Sequence, residues 1–273
     1  MNTKTNIGSI SEGNEFIFLY NYFLKSKKSI CYIARNEKEI FTIKNKLNWL
    51  IPNTDIFLYR SWDQIPYDNV SPLNEIQSER IKTIYNISIN KKKIILITSV
   101  NAIIQRTIEI SNFDNYFIKI YKNKIIDFSE LINHLILIGY NRTSVVRDKC
   151  EFAVRGSIID IFLPDYKNPL RLDFFDKKIE NIYSFDYFTQ KKINEIEKEM
   201  IIFPTKEIIL SSDNLKIFRK KFRSIFNDYR HSNIYNFFSD YNFPYGGENF
   251  IPLFYKMKTL FSYIENFNII INN

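Results

Sequence analysis

The sequence predicts an open α/β sheet domain interrupted by a β-rich α+β insert. Strand and helix signals alternate over the first 115 residues, which argues for an open sheet with helical crossovers. Near residue 116 closely spaced strands take over, and after Pro204 helical periodicity returns. The expected division is therefore 1–115, the first part of the α/β domain; 116–204, the insert; and 205–273, the second part.

The elements follow in order. Gly8–Glu15 reads G-S-I-S-E-G-N-E, which has the glycine spacing of a phosphate-binding loop, G-x-x-x-x-G-K-[ST]. Asn14 stands in place of the lysine that reaches the phosphates, and Glu15 in place of the hydroxyl residue that holds magnesium. A carboxylate at that point repels a triphosphate. On the residues alone, Gly8 and Gly13 fit equally a polar turn before a helix. Glu15–Lys25 follows as a compact apolar helix, then Ser29–Ala34 as a buried strand. Ile40, Ile43, Leu47 and Leu50 recur at helical spacing over Glu37–Leu50. Asp55–Tyr59 is a strand, Glu75–Ile87 a helix, and Lys93–Thr98 (K-I-I-L-I-T) a strand buried on both faces. A short helix covers Asn101–Arg106.

In the insert, Tyr116–Tyr121 reads as a strand and Ser129–Ile138 as a helix ended by Gly139. Four strands follow: Glu151–Arg155, Ser157–Phe162, Leu170–Phe175 and Lys178–Phe185. Turns at Pro164–Asn168 and Asp176–Lys178 make hairpins of them. After Pro204, Ser211 or Ser212 caps a helix whose apolar stripe runs Leu215, Phe218, Phe222, Ile225, Phe226 and Tyr229, with Lys216, Lys220 and Arg223 opposite.

Composition narrows the function classes. With 273 residues and 45% hydrophobic content the chain can bury a real core. Its first residues are polar and its apolar runs, Phe16–Leu24 and Ile94–Ile97, fall short of a membrane span, so no membrane is expected. Two cysteines, Cys31 and Cys150, fit a reducing cytoplasm, and two histidines with no Cys/His cluster argue against zinc. The net charge of +8 suits nucleic acid or an acidic partner. However, Lys, Asn, Ile, Phe and Tyr, abundant together here, share AT-rich codons, so part of the basicity is compositional. No G-x-G-x-x-G, H-E-x-x-H or G-x-S-x-G occurs, and no catalytic residue, cofactor or metal is expected.

Three segments resemble the N-terminal region of the bacterial transcription-repair coupling factor (Mfd) family. The first is Ser61-Trp62-Asp63-Gln64-Ile65-Pro66-Tyr67-Asp68 with Ser71-Pro72 and Ser78-Glu79-Arg80. The second runs from Gly139-Tyr140 through Glu151–Phe162 and Pro169–Asp176 to Phe185-Asp186 and Thr189-Gln190. The third is Gly246-Gly247-Glu248 with Ile251–Tyr255 and Thr259-Leu260-Phe261. The second segment is shared with the excision-nuclease subunit UvrB, whose ATPase requires an intact phosphate loop.

The resemblance implies a UvrB-like α/β domain with a degenerate P-loop NTPase-like sheet, split by an insert that docks onto UvrA. The family's UvrA-contacting residues map to Arg155, Arg171 and Phe175. RNA polymerase and duplex DNA are further partners of the full-length family, through domains with motor motifs that this sequence lacks; the resemblance thus reads the chain as truncated. The expected function is a non-catalytic, cytoplasmic UvrA-binding module that recruits excision repair to stalled polymerase. The alternative is a degraded UvrB-like subunit with residual ATP or DNA binding.

Arginine offers a planar donor fork for partner carboxylates. In an extended run Arg171, Asp173 and Phe175 share one side, which leaves Phe175 as an exposed aromatic anchor. Internal pairing of Arg155 or Arg171 with Asp160, Asp173 or Glu180 is the competing reading. If the docking role holds, Arg171→Glu is expected to abolish UvrA capture with the fold intact. Cys150 and Ser157 stand where the family usually has glycine.

Overall fold

A computed structural model of the chain describes residues 5, 8, 10–11, 13–65 and 68–272. Ser9 and Glu12 of the glycine turn, and Pro66 and Tyr67 of the Trp62–Asp68 segment, lie outside the described residues. In chain order the elements are α1 (Glu15–Lys25), β1 (Ile30–Ala34), α2 (Glu37–Leu50), β2 (Ile56–Tyr59), α3 (Asn74–Ile89), β3 (Ile95–Ser99), α4 (Val100–Ile104), β4 (Arg106–Ile108) and β5 (Ile118–Ile120). Then come α5 (Phe128–Leu137), β6 (Asn141–Thr143), β7 (Glu151–Arg155), β8 (Ile158–Ile161), β9 (Leu170–Phe175), β10 (Lys178–Phe185), β11 (Lys192–Glu195) and β12 (Met200–Ile202). The last are α6 (Ser212–Ile225), α7 (Asn233–Ser239), α8 (Ile251–Phe254), β13 (Met257–Thr259) and β14 (Asn268–Ile271). The structure is mixed α/β, and the chain divides into two units: the described residues of 1–61, 83–107 and 259–273, and those of 62–82 and 108–258.

The first unit is built on a parallel sheet in the order β14-β1-β3-β2. β1 and β3 are buried along their whole length, as the K-I-I-L-I-T run requires of central strands covered on both faces. Leu19 and Phe23 of α1 and Ile40, Ile43 and Leu47 of α2 pack against Ile30, Tyr32, Ile95 and Ile97. Asn36 caps α2 by accepting the Glu39 N–H at 3.0 Å, and Ser99 caps α4 by accepting the Ala102 N–H at 3.2 Å. β14, which sequence periodicity did not reveal, pairs Asn268–Ile271 with Ile30–Ile33.

The second unit contains a six-stranded sheet in the order β11-β10-β9-β8-β7-β6, antiparallel except for the parallel β6–β7 pair. One face is apolar. Phe152, Ile159, Ile161, Leu170, Leu172, Phe174, Ile179 and Ile182 cluster with Leu131 and Leu135 of α5 and with the β5–β12 pair. Asp127 caps α5 by accepting the Ser129 and Glu130 N–H groups. Gly139 ends the helix at φ +96°, and a Cβ there would meet Thr205 Oγ1 at 2.7 Å, so only glycine fits.

Cys150 adopts φ +66°, in the left-handed region that favours glycine, and Gly156 takes the positive φ (+58°) of the β7–β8 hairpin. One expectation needs correction. The apolar stripe of α6 stops early. Leu215, Phe218 and Phe222 are buried, but the helix ends at Ile225, and Ile225 and Phe226 are left 60% and 43% exposed.

The first and third resemblance segments meet in a buried polar clasp within the second unit. Arg80 Nε donates to Glu207 Oε1 at 2.5 Å, with both side chains 1% exposed, and the guanidinium lies 5.7 Å from the Trp62 ring. Gln77 accepts the Glu207 N–H at 2.9 Å and donates to Glu248 Oε1 at 3.0 Å. Ser71 Oγ accepts the Gly246 N–H at 3.2 Å. Gly246 sits at φ +68°, where a Cβ would approach Asp68 O to 2.5 Å. The Trp62, Arg80 and Gly-Gly-Glu motifs thus close a buried network of this unit.

Burial raises the Glu248 carboxyl above its ordinary range. The folded chain then holds that proton more tightly than the unfolded chain. This stability contribution is complete below the ordinary carboxylate pKa and is lost as pH rises through the raised value. Glu248→Gln, which keeps an acceptor for Gln77, is expected to flatten the stability profile in that window. Urea midpoints measured from about pH 4 to about pH 8 check this; an unchanged slope would show that Glu248 does not govern it.

Candidate functional site

The second face of the six-stranded sheet is polar and partly open. Register places Ala153, Asp160, Arg171 and Tyr183 side by side across β7 to β10, and Arg155, Ile158, Asp173 and Asn181 in the next row. Residues opposite one another on adjacent strands share a face, so Arg155 and Arg171 belong to the same surface. β9 alternates as expected: Leu170, Leu172 and Phe174 are buried, and Phe175 at its end is 70% exposed. Arg155, Arg171 and Phe175 are therefore brought to one face.

Their chemical states differ. Arg155 ends β7, is exposed, and has no carboxylate partner among the described residues. Arg171 is already engaged. Its Nε donates to Asp160 Oδ1 at 2.6 Å and its Nη2 to Asp160 Oδ2 at 2.8 Å, a bidentate fork onto a carboxylate only 2% exposed. The Asp160 bond raises the Arg171 pKa further, and the guanidinium lies 4.4 Å from the Phe185 ring. The internal pairing held open for Arg171 is thus the one found, and Asp160 is the partner. Burial also raises the neighbouring Asp173 carboxyl.

Arg171 does a further job that sequence spacing could not show. Its Nη2 donates to Gln190 Oε1 at 2.8 Å, and Gln190 Nε2 donates to Tyr187 O at 2.9 Å. Asp186 accepts from the Phe188 and Thr189 N–H groups and from the Thr189 hydroxyl, which holds its carboxyl below the ordinary range. The 186–190 turn is thereby tied to Arg171 and presents Phe188, 80% exposed, with its ring 4.2 Å from that of Tyr187.

The glycine turn of the first unit has different geometry. Gly13 sits at φ +85°, and Asn14 occupies the N-cap position of α1 without a side-chain cap. Glu15 lies 3.9 Å from Arg35 Nη2. Lys46 from α2 donates to the Gly13 carbonyl at 3.0 Å. Gly8 and Asn14 are exposed, and the first strand among the described residues, β1, follows α1.

Of the other candidates, burial pushes the Cys150 thiol up to about 12, so it is not a thiolate at neutral pH. Lys216 pairs with Asp213, and Arg223 donates to the Tyr235 hydroxyl. Among the described residues, no group of three or more His, Cys, Asp or Glu could hold a metal, and no helix is long and apolar enough to cross a membrane.

The family profile of the UvrB interaction domain matches residues 118–208, which include the whole six-stranded sheet. Along most of its length the chain is also similar to transcription-repair-coupling factors. It is 28% identical to that of Rickettsia bellii over 94% of this chain and 23% of the relative. It is 31% identical to that of Haemophilus influenzae over 78% and 19%, and 30% identical to that of Escherichia coli over 77% and 18%. The chain belongs to the transcription-repair-coupling factor family. It corresponds to the family's N-terminal UvrB-homology region and spans about a fifth of the length of these relatives. Within that family region, the open sheet face falls inside the match to the UvrB interaction domain, and the clasp motifs lie partly outside it, at Trp62–Arg80 and Gly246–Glu248.

Proposed function

We propose that this chain is a non-catalytic UvrA-docking module of a transcription-repair coupling factor, serving to bring excision repair to stalled RNA polymerase. The observation that carries the proposal is the open sheet face, where an unpaired Arg155 and an exposed Phe175 stand together within the UvrB interaction domain match. An apolar anchor beside an unsatisfied guanidinium is the composition of a protein-docking surface. On this reading the docking insert, 116–204, lies in the second unit, and the first unit, with its parallel sheet, is UvrB-like α/β with a degenerate phosphate loop. A glutamate at the first turn of α1 disfavours a bound triphosphate.

Surface plasmon resonance against UvrA tests the proposal. Arg155→Glu and Phe175→Ala are each expected to weaken binding about tenfold or more with unchanged circular dichroism. A parent chain that does not bind UvrA would sink the proposal. ATP hydrolysis, or millimolar ATP-Mg binding lost on changing Gly13, would favour a degraded UvrB-like subunit.

A further inference from the structure

Beside Arg155, the open face carries a cleft of about 480 Å³ lined by Val145, Arg147, Arg155, Tyr187, Phe188 and Gln190. Both of its walls are held by carboxylates. On one, Glu151 Oε2 accepts the Arg147 and Asp148 N–H groups at 2.8 and 2.9 Å, which fixes the segment bearing Arg147. On the other, Asp186 and the Arg171–Gln190 bond fix the turn bearing Tyr187 and Phe188. Glu151 bonds backbone groups and not the Arg147 guanidinium, and neither Arg147 nor Arg155 has a carboxylate partner among the described residues. Two unpaired guanidiniums beside the half-buried Tyr187 and the exposed Phe188 call for a carboxylate with an apolar neighbour.

We propose that this cleft receives an acidic side chain of the docking partner between Arg147 and Arg155, with an adjoining apolar side chain against Phe188. Arg147 and Phe188 are then specificity-determining contacts, and Arg171 is a positioning residue that holds the Phe188 turn. The proposal rests on the UvrA-docking reading and adds to it the chemistry of the partner's contact.

UvrA binding to the whole chain is measured for Arg147→Glu and Phe188→Ala beside the parent, Arg155→Glu and Phe175→Ala. Arg147 and Phe188 are exposed, so circular dichroism and thermal melts are expected to match the parent. Each of these two changes is expected to weaken binding about tenfold or more. If both bind like the parent while Arg155→Glu and Phe175→Ala lose binding, the cleft assignment fails and the docking reading stands. A loss confined to Arg147→Glu or to Phe188→Ala alone also overturns the paired acidic-apolar contact. If the parent itself does not bind UvrA, both readings fall.

Discussion

Arg80→Ala is expected to lower the unfolding free energy of the second unit by about 3–5 kcal/mol, because it leaves Glu207 buried without its counter-ion. Glu207 cannot recover solvent, since its side chain is 1% exposed. The change also removes the cation over Trp62 and opens a void next to the Gln77–Glu248 bond. Glu207→Leu alone is expected to cost a similar amount by stranding the guanidinium. The double change Arg80→Met with Glu207→Leu removes both charges at comparable volume and is expected to recover most of the loss. Urea unfolding of the parent, Arg80→Met, Glu207→Leu and the double variant forms a double-mutant cycle, with Arg80→Ala measured beside it. A single-mutant cost below about 1 kcal/mol would show that the pair is not the desolvated contact described.

Arg171→Glu is expected to destabilise the six-stranded sheet by about 3–5 kcal/mol, because it sets a second carboxylate against the buried Asp160. It also releases Gln190 and with it the turn that carries Phe188. The expectation that this substitution would end UvrA capture with the fold intact is therefore replaced: capture would fail through loss of the face itself. Arg155→Glu, at an exposed strand end, is expected to leave stability within about 0.5 kcal/mol of the parent. Thermal melts of the two variants separate the roles. If Arg171→Glu melts like the parent, the bidentate pair contributes nothing to the fold.

Legibility in the sequence followed the range of the interactions that define each element. Glu15–Lys25, Glu37–Leu50, Glu151–Arg155, Leu170–Phe175 and Lys178–Phe185 have the expected bounds, because local apolar periodicity and tight turns define them. Tyr116–Tyr121 shrinks to Ile118–Ile120, with a 3-10 turn taking Ile110–Tyr116. β11 is exposed at every position and has no alternation to read. β14 is four residues whose strand character comes from pairing with β1, more than two hundred residues earlier.

The site divided along the same line. The sequence alone determined the mixed α/β order, the family, and the alternation that sends Arg171, Asp173 and Phe175 to one side of a strand, since these depend on neighbours in the chain. Only the tertiary structure decided which arginine is engaged. Arg171 meets Asp160 through the β8–β9 register, whereas Arg155, on the next row, meets Ile158 and has no carboxylate partner among the described residues. It also decided that Arg147 and Phe188 join Arg155 around one cleft. Spacing along one strand cannot report a partner on another, because register and turn geometry set cross-strand neighbours.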